Sequence, residues 1–193
     1  ADMPAIMQIA SEYDLHVVED AAQAMGATLH GQHAGTWGAA AGISLHPLKM
    51  LNVWGDGGIL LTRYAEIART ISLLRNHGLE TRDDAVIFGE NGRLSSLQAV
   101  IANRGIQSLP RAIQGRRALA ARLGAELDGL ADDGRIILPV TRPGVAPVWM
   151  TYIIRVPGAR DALRAYLVDR VVDGNIHYPV PLHLQTVGRQ LGY

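Results

Sequence analysis

The chain has 193 residues, 48% of them hydrophobic, and 18 acidic side chains balance 18 basic ones to give a formal net charge of zero. This balance excludes the basic surface typical of proteins that bind nucleic acid or anionic membranes. The absence of cysteine excludes disulfides and thiolate metal sites, and His30 with His33 is too sparse a pair to predict any metal site. With no signal-peptide pattern and no apolar run of about 18 residues, we expect a cytoplasmic protein.

The first half of the sequence alternates short apolar strands with amphipathic helices. Apolar residues at helical spacing predict a helix over residues 4–13, and "LHVVED" predicts a short buried strand that ends at Asp20. The glycine-bounded "GATLHGQHAGTWG" indicates a hairpin or loop. The strands "AAGISLH" and "GGILLT" follow, joined by a loop that contains Lys49, and "YAEIARTISLLRNHG" predicts a helix. This alternation favours an α/β sheet.

The second half begins with a long helical region and then changes character. Helical spacing runs from Leu94 to about Leu130, with an interruption at Pro110. Beyond about residue 135, "WMTYIIRV" predicts a strand, "GARDALRAYLVDRVV" a helix and "NIHYPVPL" a further strand. We therefore predict a large domain over residues 1–134, including a long connecting helix, and part of a small α+β domain over residues 135–193.

Lys49 stands out because it is the single lysine among 18 lysine and arginine residues, the other 17 being arginine. A guanidinium stays protonated in proteins, whereas a lysine amine can lose its proton and attack a carbonyl. The alternative is a loop lysine with no special role, so the neighbouring residues must decide between the two.

Polar residues at neighbouring strand ends strengthen the case for Lys49. Asp20 ends one predicted strand, and Ser44 and Lys49 lie around the end of the next, where open α/β sheets place ligand groups. Pyridoxal phosphate (PLP) needs an amine, an anion beside its ring nitrogen, and hydroxyl or backbone donors for its phosphate. These three residues suit that cofactor, although a strand-end aspartate is also a common helix cap or turn residue.

Five ordered motifs carry a family resemblance over essentially the whole chain. They are "VVEDAAQAMGA", "SLHPLKMLNVWGDGG", "LLRNHGL", "GENGRLSSLQA" and "IHYPVPLHLQ". In this order they resemble the nucleotide-sugar aminotransferases of the DegT/DnrJ/StrS type, within the aspartate-aminotransferase superfamily of fold type I. The resemblance implies a mixed, mostly parallel sheet flanked by helices, with part of a smaller α+β C-terminal domain. It also implies a partial chain, because members of this family are considerably longer.

The resemblance implies specific roles for five residues. Lys49 would form the internal aldimine with PLP and later shuttle a proton between the substrate carbon and the cofactor. Asp20 would pair with the pyridinium nitrogen, Gln23 would lie near the phenolic oxygen of the ring, and Ser44 would bind the phosphate. Asn91 would reach the phosphate of the neighbouring subunit's cofactor, so that the active unit would be a homodimer.

Two histidines match family positions near the substrate cleft. They are His77, in "NHG", and His183, in "PLH". A histidine at the C-terminus of a helix is also commonly no more than a favourable contact with the helix dipole. A substrate role and a structural role therefore both stay open for these residues.

The implied reaction converts a keto group of a nucleotide-linked sugar to an amine, with an amino acid such as glutamate as donor. Three alternatives remain: a PLP-dependent sugar dehydratase, a transaminase acting on a cyclitol or an aminobenzoate precursor, and an inactive truncated structural module. Lys49 favours transamination over dehydration, because the dehydrating relatives carry histidine in place of the lysine. We expect the 193-residue chain alone to be a poor enzyme.

Overall fold

The computed structural model describes residues 1–193 as a mixture of helices and short strands. The helices are α1 (Met3–Glu12), α2 (Ala65–Leu74), α3 (Ser96–Gly105), α4 (Leu109–Asp132), α5 (Arg160–Asp169) and α6 (Thr186–Gln190). The strands are β1 (Val18–Asp20), β2 (Thr28–Leu29), β3 (Gln32–His33), β4 (Ala40–Ser44), β5 (Gly58–Thr62) and β6 (Val145–Ala146). No helix combines the length and apolar character needed to span a membrane.

The chain divides into two compact units, which are described separately. The first comprises Ala1–Leu127 and Pro139–Ile153, and the second comprises Asp128–Leu138 and Ile154–Tyr193. All six strands belong to the first unit. The division into domains of residues 1–134 and 135–193 stays a prediction.

The sheet that positions the candidate site contains three strands in the order β1-β4-β5. β1 runs parallel to β4, with Asp20 opposite Gly42, so that the chain leaves both strands at the same edge. β5 runs antiparallel to β4, with Gly58 opposite Ser44. This direction follows from the connecting loop, which folds back so that the Leu45 N–H donates to the Gly57 carbonyl at 2.8 Å. The fold is therefore mixed α/β, and this small sheet is not the mostly parallel sheet that was expected.

β1 was also predicted to be buried, and that prediction was wrong. The side chain of Val18 is 71% exposed, and Ile59 and Leu60 of β5 are 36% and 41% exposed. β1 pairs with β4 along one edge only. An apolar strand sequence indicates that the strand suits a buried position. In this chain, the residues that pack against β1 do not bury it completely.

A second small sheet contains the predicted hairpin, which is confirmed. β2 pairs with β3 in antiparallel register, and the two turn residues His30 and Gly31 have φ angles of 50° and 81°. Positive φ at both turn residues is the arrangement that fits the right-handed twist of a two-residue hairpin. β2 also pairs with β6, which brings a distant part of the chain to this side of the first unit.

The loop between β4 and β5 is fixed by a small buried cluster. Leu45, Leu51 and Val53 are 0%, 4% and 1% exposed, and they pack against the partly buried residues Met25, Leu94 and Ala102. Close-packed side chains of this kind hold a backbone in one conformation. Lys49 lies between Leu45 and Leu51 and is therefore carried by a structured loop.

The predicted helices of the first unit are confirmed. α1 carries Asp2 as its N-cap, and α3 begins with a capping box formed by Ser95 and Gln98. A 3-10 turn over Ile106–Ser108 separates α3 from α4. Pro110 lies in the first turn of α4, where its missing N–H costs no helical hydrogen bond.

The predicted helix of the second unit forms, but the two strands predicted beyond residue 135 do not. α5 covers Arg160–Asp169, whereas "WMTYIIRV" contributes only a single bridge between Ile137 and Arg155, and "NIHYPVPL" forms no strand. A strand needs a partner to satisfy its backbone groups, and Pro179 and Pro181 each lack an N–H.

At the start of α5, the hydrogen bond from Arg160 and the positive charge of its guanidinium lower the pKa of Asp161.

Candidate active site

Asp20 lies at the carboxyl end of β1 and begins the site. Its Oδ1 accepts a hydrogen bond from the Ala22 N–H at 3.0 Å, and the Ala21 N–H donates to the Gly42 carbonyl at 2.9 Å. These bonds turn the chain away from the sheet immediately after Asp20. The carboxylate is exposed and lies at the edge where β4 also ends.

Glu19, the preceding residue, fastens β1 to a neighbouring loop. Its two carboxylate oxygens accept hydrogen bonds from the backbone N–H groups of Gly35 (2.7 Å), Trp37 (2.7 Å) and Gly38 (2.9 Å). A Cβ at Gly38 would lie 2.3 Å from the Val17 carbonyl oxygen, so no larger residue fits there without movement. Glu19 therefore fixes the end of the strand from which Asp20 projects.

Ser44 and Lys49 belong to the end of β4 and the loop that follows. Ser44 Oγ accepts from the His46 N–H at 3.3 Å, which leaves the serine hydroxyl proton available to donate. The Lys49 N–H donates to the His46 carbonyl at 2.8 Å, and the Leu48 N–H donates to His46 Nδ1 at 3.2 Å. His46 thus organises the turn that brings Lys49 back toward Ser44. Ser44 and Lys49 are both half-buried.

Two adjoining cavities bring the predicted residues together. An open groove of about 1110 Å³ is lined by residues that include Asp20 and Ser44. A small cavity of about 10 Å³ is lined by residues that include Gln23, Ser44 and Lys49. Ala22 and Ser44 belong to both linings, so the two cavities are neighbours at the carboxyl ends of β1 and β4.

The donor set at this region fits PLP. It offers an amine, a carboxylate, a hydroxyl able to donate and a side-chain amide, and these are the groups that the aldehyde, ring nitrogen, phosphate and phenolic oxygen require. The groove has room for a planar aromatic cofactor, whereas the cavity beside Lys49 alone does not.

Asn91 lies outside the linings of both cavities, although its neighbour Gly92 lines the groove. Its side-chain oxygen accepts from Arg93 Nε at 3.1 Å, and the same guanidinium donates to Asn76 at 3.2 Å. Asn76 and Asn91 also form a backbone bridge. Because the oxygen of Asn91 is occupied by Arg93, its amide N–H₂ is left to donate elsewhere.

The two histidines are in different units. His77 is exposed, has a φ of 59°, and donates its backbone N–H to the Glu90 carbonyl at 2.9 Å. His183 is exposed in the 3-10 turn Leu182–Leu184 of the second unit. Neither histidine lines the groove or the small cavity.

Sequence reasoning missed Met150, which lines the small cavity with Gln23, Ser44 and Lys49. It also missed Arg116, which donates hydrogen bonds to the backbone beside Met150. Local patterns could not identify either residue, because Met150 lies about 100 positions from Lys49 and Arg116 is one of 17 arginines. Only the folding of the chain brings them to the site.

Known proteins resemble this chain over nearly its whole length. The DegT/DnrJ/EryC1/StrS aminotransferase family matches residues 1–193. The chain is 40% identical over 184 residues to the dTDP-3-amino-3,4,6-trideoxy-alpha-D-glucose transaminase of Streptomyces venezuelae, a match that covers 95% of this chain and 48% of that protein. The chain thus spans about half the length of this curated relative.

Solved structures give the same picture. The crystal structure of S. venezuelae DesV in complex with a ketimine intermediate superposes with a TM-score of 0.91 at 39% identity, covering 98% of this chain and 50% of that one. NtdA from Bacillus subtilis, with bound cofactor PMP, has a TM-score of 0.86 at 30% identity and covers 96% and 42%. On these matches the fold is that of sugar aminotransferases of fold type I, and the chain belongs to the DegT/DnrJ/EryC1/StrS aminotransferase family.

Proposed function

We propose that the protein is a PLP-dependent aminotransferase that converts a keto group of a nucleotide-linked sugar to an amine, with glutamate as donor. The observation that carries this proposal is the convergence of Lys49, Ser44 and Gln23 on one cavity, with Asp20 on the adjoining groove. The similarity to a dTDP-sugar transaminase supports the substrate class.

In this proposal each residue has one task. Lys49 holds the cofactor through its amine and, once released, moves a proton to and from the substrate carbon, which an arginine could not do. Asp20 holds the ring nitrogen protonated by its opposite charge. Ser44 donates its hydroxyl proton to the phosphate, and Gln23 lies at the phenolic oxygen. When bound, PLP supplies a ring that withdraws electrons from the substrate carbon.

We propose that Asn91 acts in a homodimer, where a second copy of the chain presents its amide to the phosphate. The hydrogen bond from Arg93 to the Asn91 oxygen supports this role, because it leaves the donor end of the amide for an anion. We assign substrate contacts to His77 and His183 on their family positions alone.

The finer features of the fold are also proposals. The unpaired edge of β1 and its 71% exposed Val18 support a complete sheet that continues beyond β1. That this sheet is mostly parallel is proposed from the family resemblance alone. The domain division at residues 134 and 135 belongs to the same proposal, with α4 as the connecting helix.

The test uses the first half of the reaction, which needs no sugar. The complete enzyme is loaded with PLP and mixed with glutamate, and the 2-oxoglutarate released is quantified against Lys49→Ala as the matched control. We expect 2-oxoglutarate from the wild type and none above background from the variant, followed by further release on addition of a nucleotide-linked keto sugar. Equal release from both proteins would contradict the proposed role of Lys49.

A further inference from the structure

Met150 enters the candidate site from a distant part of the sequence. It lies just after β6, in a segment that packs beside α4, and it is half-buried. Its side chain lines the small cavity together with Gln23, Ser44 and Lys49. Met25, Met50 and Met150 are the methionines of this lining, and Met150 is the one residue brought to it from beyond residue 51.

Arg116 of α4 holds the backbone at Met150 directly. Its guanidinium donates to the Trp149 carbonyl at 3.0 Å and to the Met150 carbonyl at 3.2 Å, and both bonds are partly buried. Hydrogen bonds from a charged donor are stronger than neutral ones, and partial burial shields them from competition by water. Arg116 thereby fixes the distance between α4 and the cavity wall.

Arg117, the next residue of α4, donates two further hydrogen bonds to carbonyls that precede Trp149 in the same segment. Its Nε donates to the Pro147 carbonyl at 2.8 Å, and its Nη2 donates to the Ala146 carbonyl at 3.1 Å. Two consecutive arginines therefore bind four backbone carbonyls between residues 146 and 150. Val148, between these carbonyls, is 4% exposed, so a buried apolar side chain also holds the segment.

The backbone at this point is held in an unfavourable conformation. Trp149 has a φ of 51°, in the left-handed region that residues with large side chains avoid. Such a conformation persists only where surrounding contacts hold it. Those contacts are the two bonds from Arg116 and the ring pair of Trp149 with Tyr152, whose centroids are 5.4 Å apart. The strain lies one residue before the side chain that reaches the cavity.

We propose that Met150 is a further residue of the cofactor site and that Arg116 is its positioning residue. This inference rests on the proposed function, since it requires that PLP binds at Lys49. Met150 presents an apolar, polarizable wall beside Lys49 and Gln23, and a thioether makes favourable contacts with aromatic ring edges. Arg116 lines neither the groove nor the small cavity, and it acts through the carbonyl of Met150.

The test measures cofactor binding rather than turnover. Equilibrium dialysis gives the dissociation constant for PLP, and far-UV circular dichroism with thermal melting confirms that each variant folds. Loss of the Met150 side chain beyond Cβ removes about three heavy atoms of apolar contact, so we expect Met150→Ala to weaken PLP binding about tenfold or more. Met150→Leu, which conserves volume, should change it by less than about threefold.

The coupling between the two residues separates positioning from general stability. Arg116→Gln should also raise the dissociation constant for PLP about tenfold. The double variant Arg116→Gln, Met150→Ala should have a dissociation constant within about twofold of that of the weaker-binding single variant. Arg122→Gln is the matched control, because Arg122 lies exposed on the same helix with Glu126 as its only partner. It should bind PLP like the wild type.

Each result bears on a different claim. If the wild type fails to bind PLP, the proposed function and this inference both fall. If the wild type binds while Met150→Ala binds equally well, the inference alone is wrong. If the fold-changes of the two single variants in the dissociation constant multiply in the double variant, Met150 contributes to the site but Arg116 does not act through Met150.

Discussion

Glu19 offers the sharpest test of how the site is held in place. Glu19→Gln is nearly isosteric but replaces one accepting oxygen with an amide N–H₂. In the native protein one carboxylate oxygen accepts from Trp37 and Gly38 and the other accepts from Gly35. If the glutamine oxygen keeps the first two bonds, its N–H₂ group faces the N–H of Gly35. That bond is lost, and one donor opposes another.

The size of the effect follows from the number and kind of bonds. A hydrogen bond to a charged group contributes about 1.5–3 kcal/mol and a neutral one about 0.5–1.5 kcal/mol. Losing one such bond and weakening two others is expected to lower the free energy of unfolding by about 2–4 kcal/mol, since bonds to a single carboxylate are not additive.

Urea unfolding followed by far-UV circular dichroism measures this difference, with the slope against urea expected to stay constant. Glu12→Gln is the control, because Glu12 is exposed at the end of α1 and makes no side-chain hydrogen bond or ion pair. The control should fall within about 0.5 kcal/mol of the wild type. A loss below about 1 kcal/mol for Glu19→Gln, or one equal to the control, would refute this reading of the three bonds.

Three further changes test other parts of the account. Asp20→Asn should cost at most about 1 kcal/mol of stability but reduce turnover by about a hundredfold or more, since an amide cannot hold the ring nitrogen protonated by charge; steady-state kinetics of the complete enzyme would show this, and unchanged turnover would make Asp20 a turn residue only. Gly78→Ala should destabilise by about 2–4 kcal/mol in urea unfolding, because its φ is +74° and an added Cβ would lie 1.7 Å from the Ile87 carbonyl oxygen; a neutral result would mean that this turn moves freely. Ser95→Ala should cost about 1 kcal/mol in the same assay, because it removes the hydroxyl that caps α3 through the Gln98 N–H at 3.2 Å, while an unchanged midpoint would show that the cap contributes nothing.

The sequence was most informative where chemistry and local pattern coincide. Asp20 and Ser44 end adjacent strands, and parallel pairing of β1 and β4 brings those ends to one edge. The direction of β5 was not predictable from its apolar run, because an apolar run is compatible with either direction. The structured loop around Lys49 sets that direction by returning the chain beside β4.

The remaining differences come from interactions across long stretches of chain. Met150 carries no local mark of a site residue, and its place depends on four hydrogen bonds from α4. The segment "NIHYPVPL" has the composition of a strand but pairs with no other strand in this chain. Propensity indicates what a segment suits, whereas its partners decide what it forms.

Covalent trapping at Lys49 tests the central claim most directly. Lys49 is the one lysine among these 193 residues. After incubation with PLP and reduction with borohydride, peptide mass mapping should find the cofactor mass on the peptide that contains Lys49, and Lys49→Arg should lose that label. Labelling confined to the N-terminus would contradict the assignment of Lys49 as the residue that holds the cofactor.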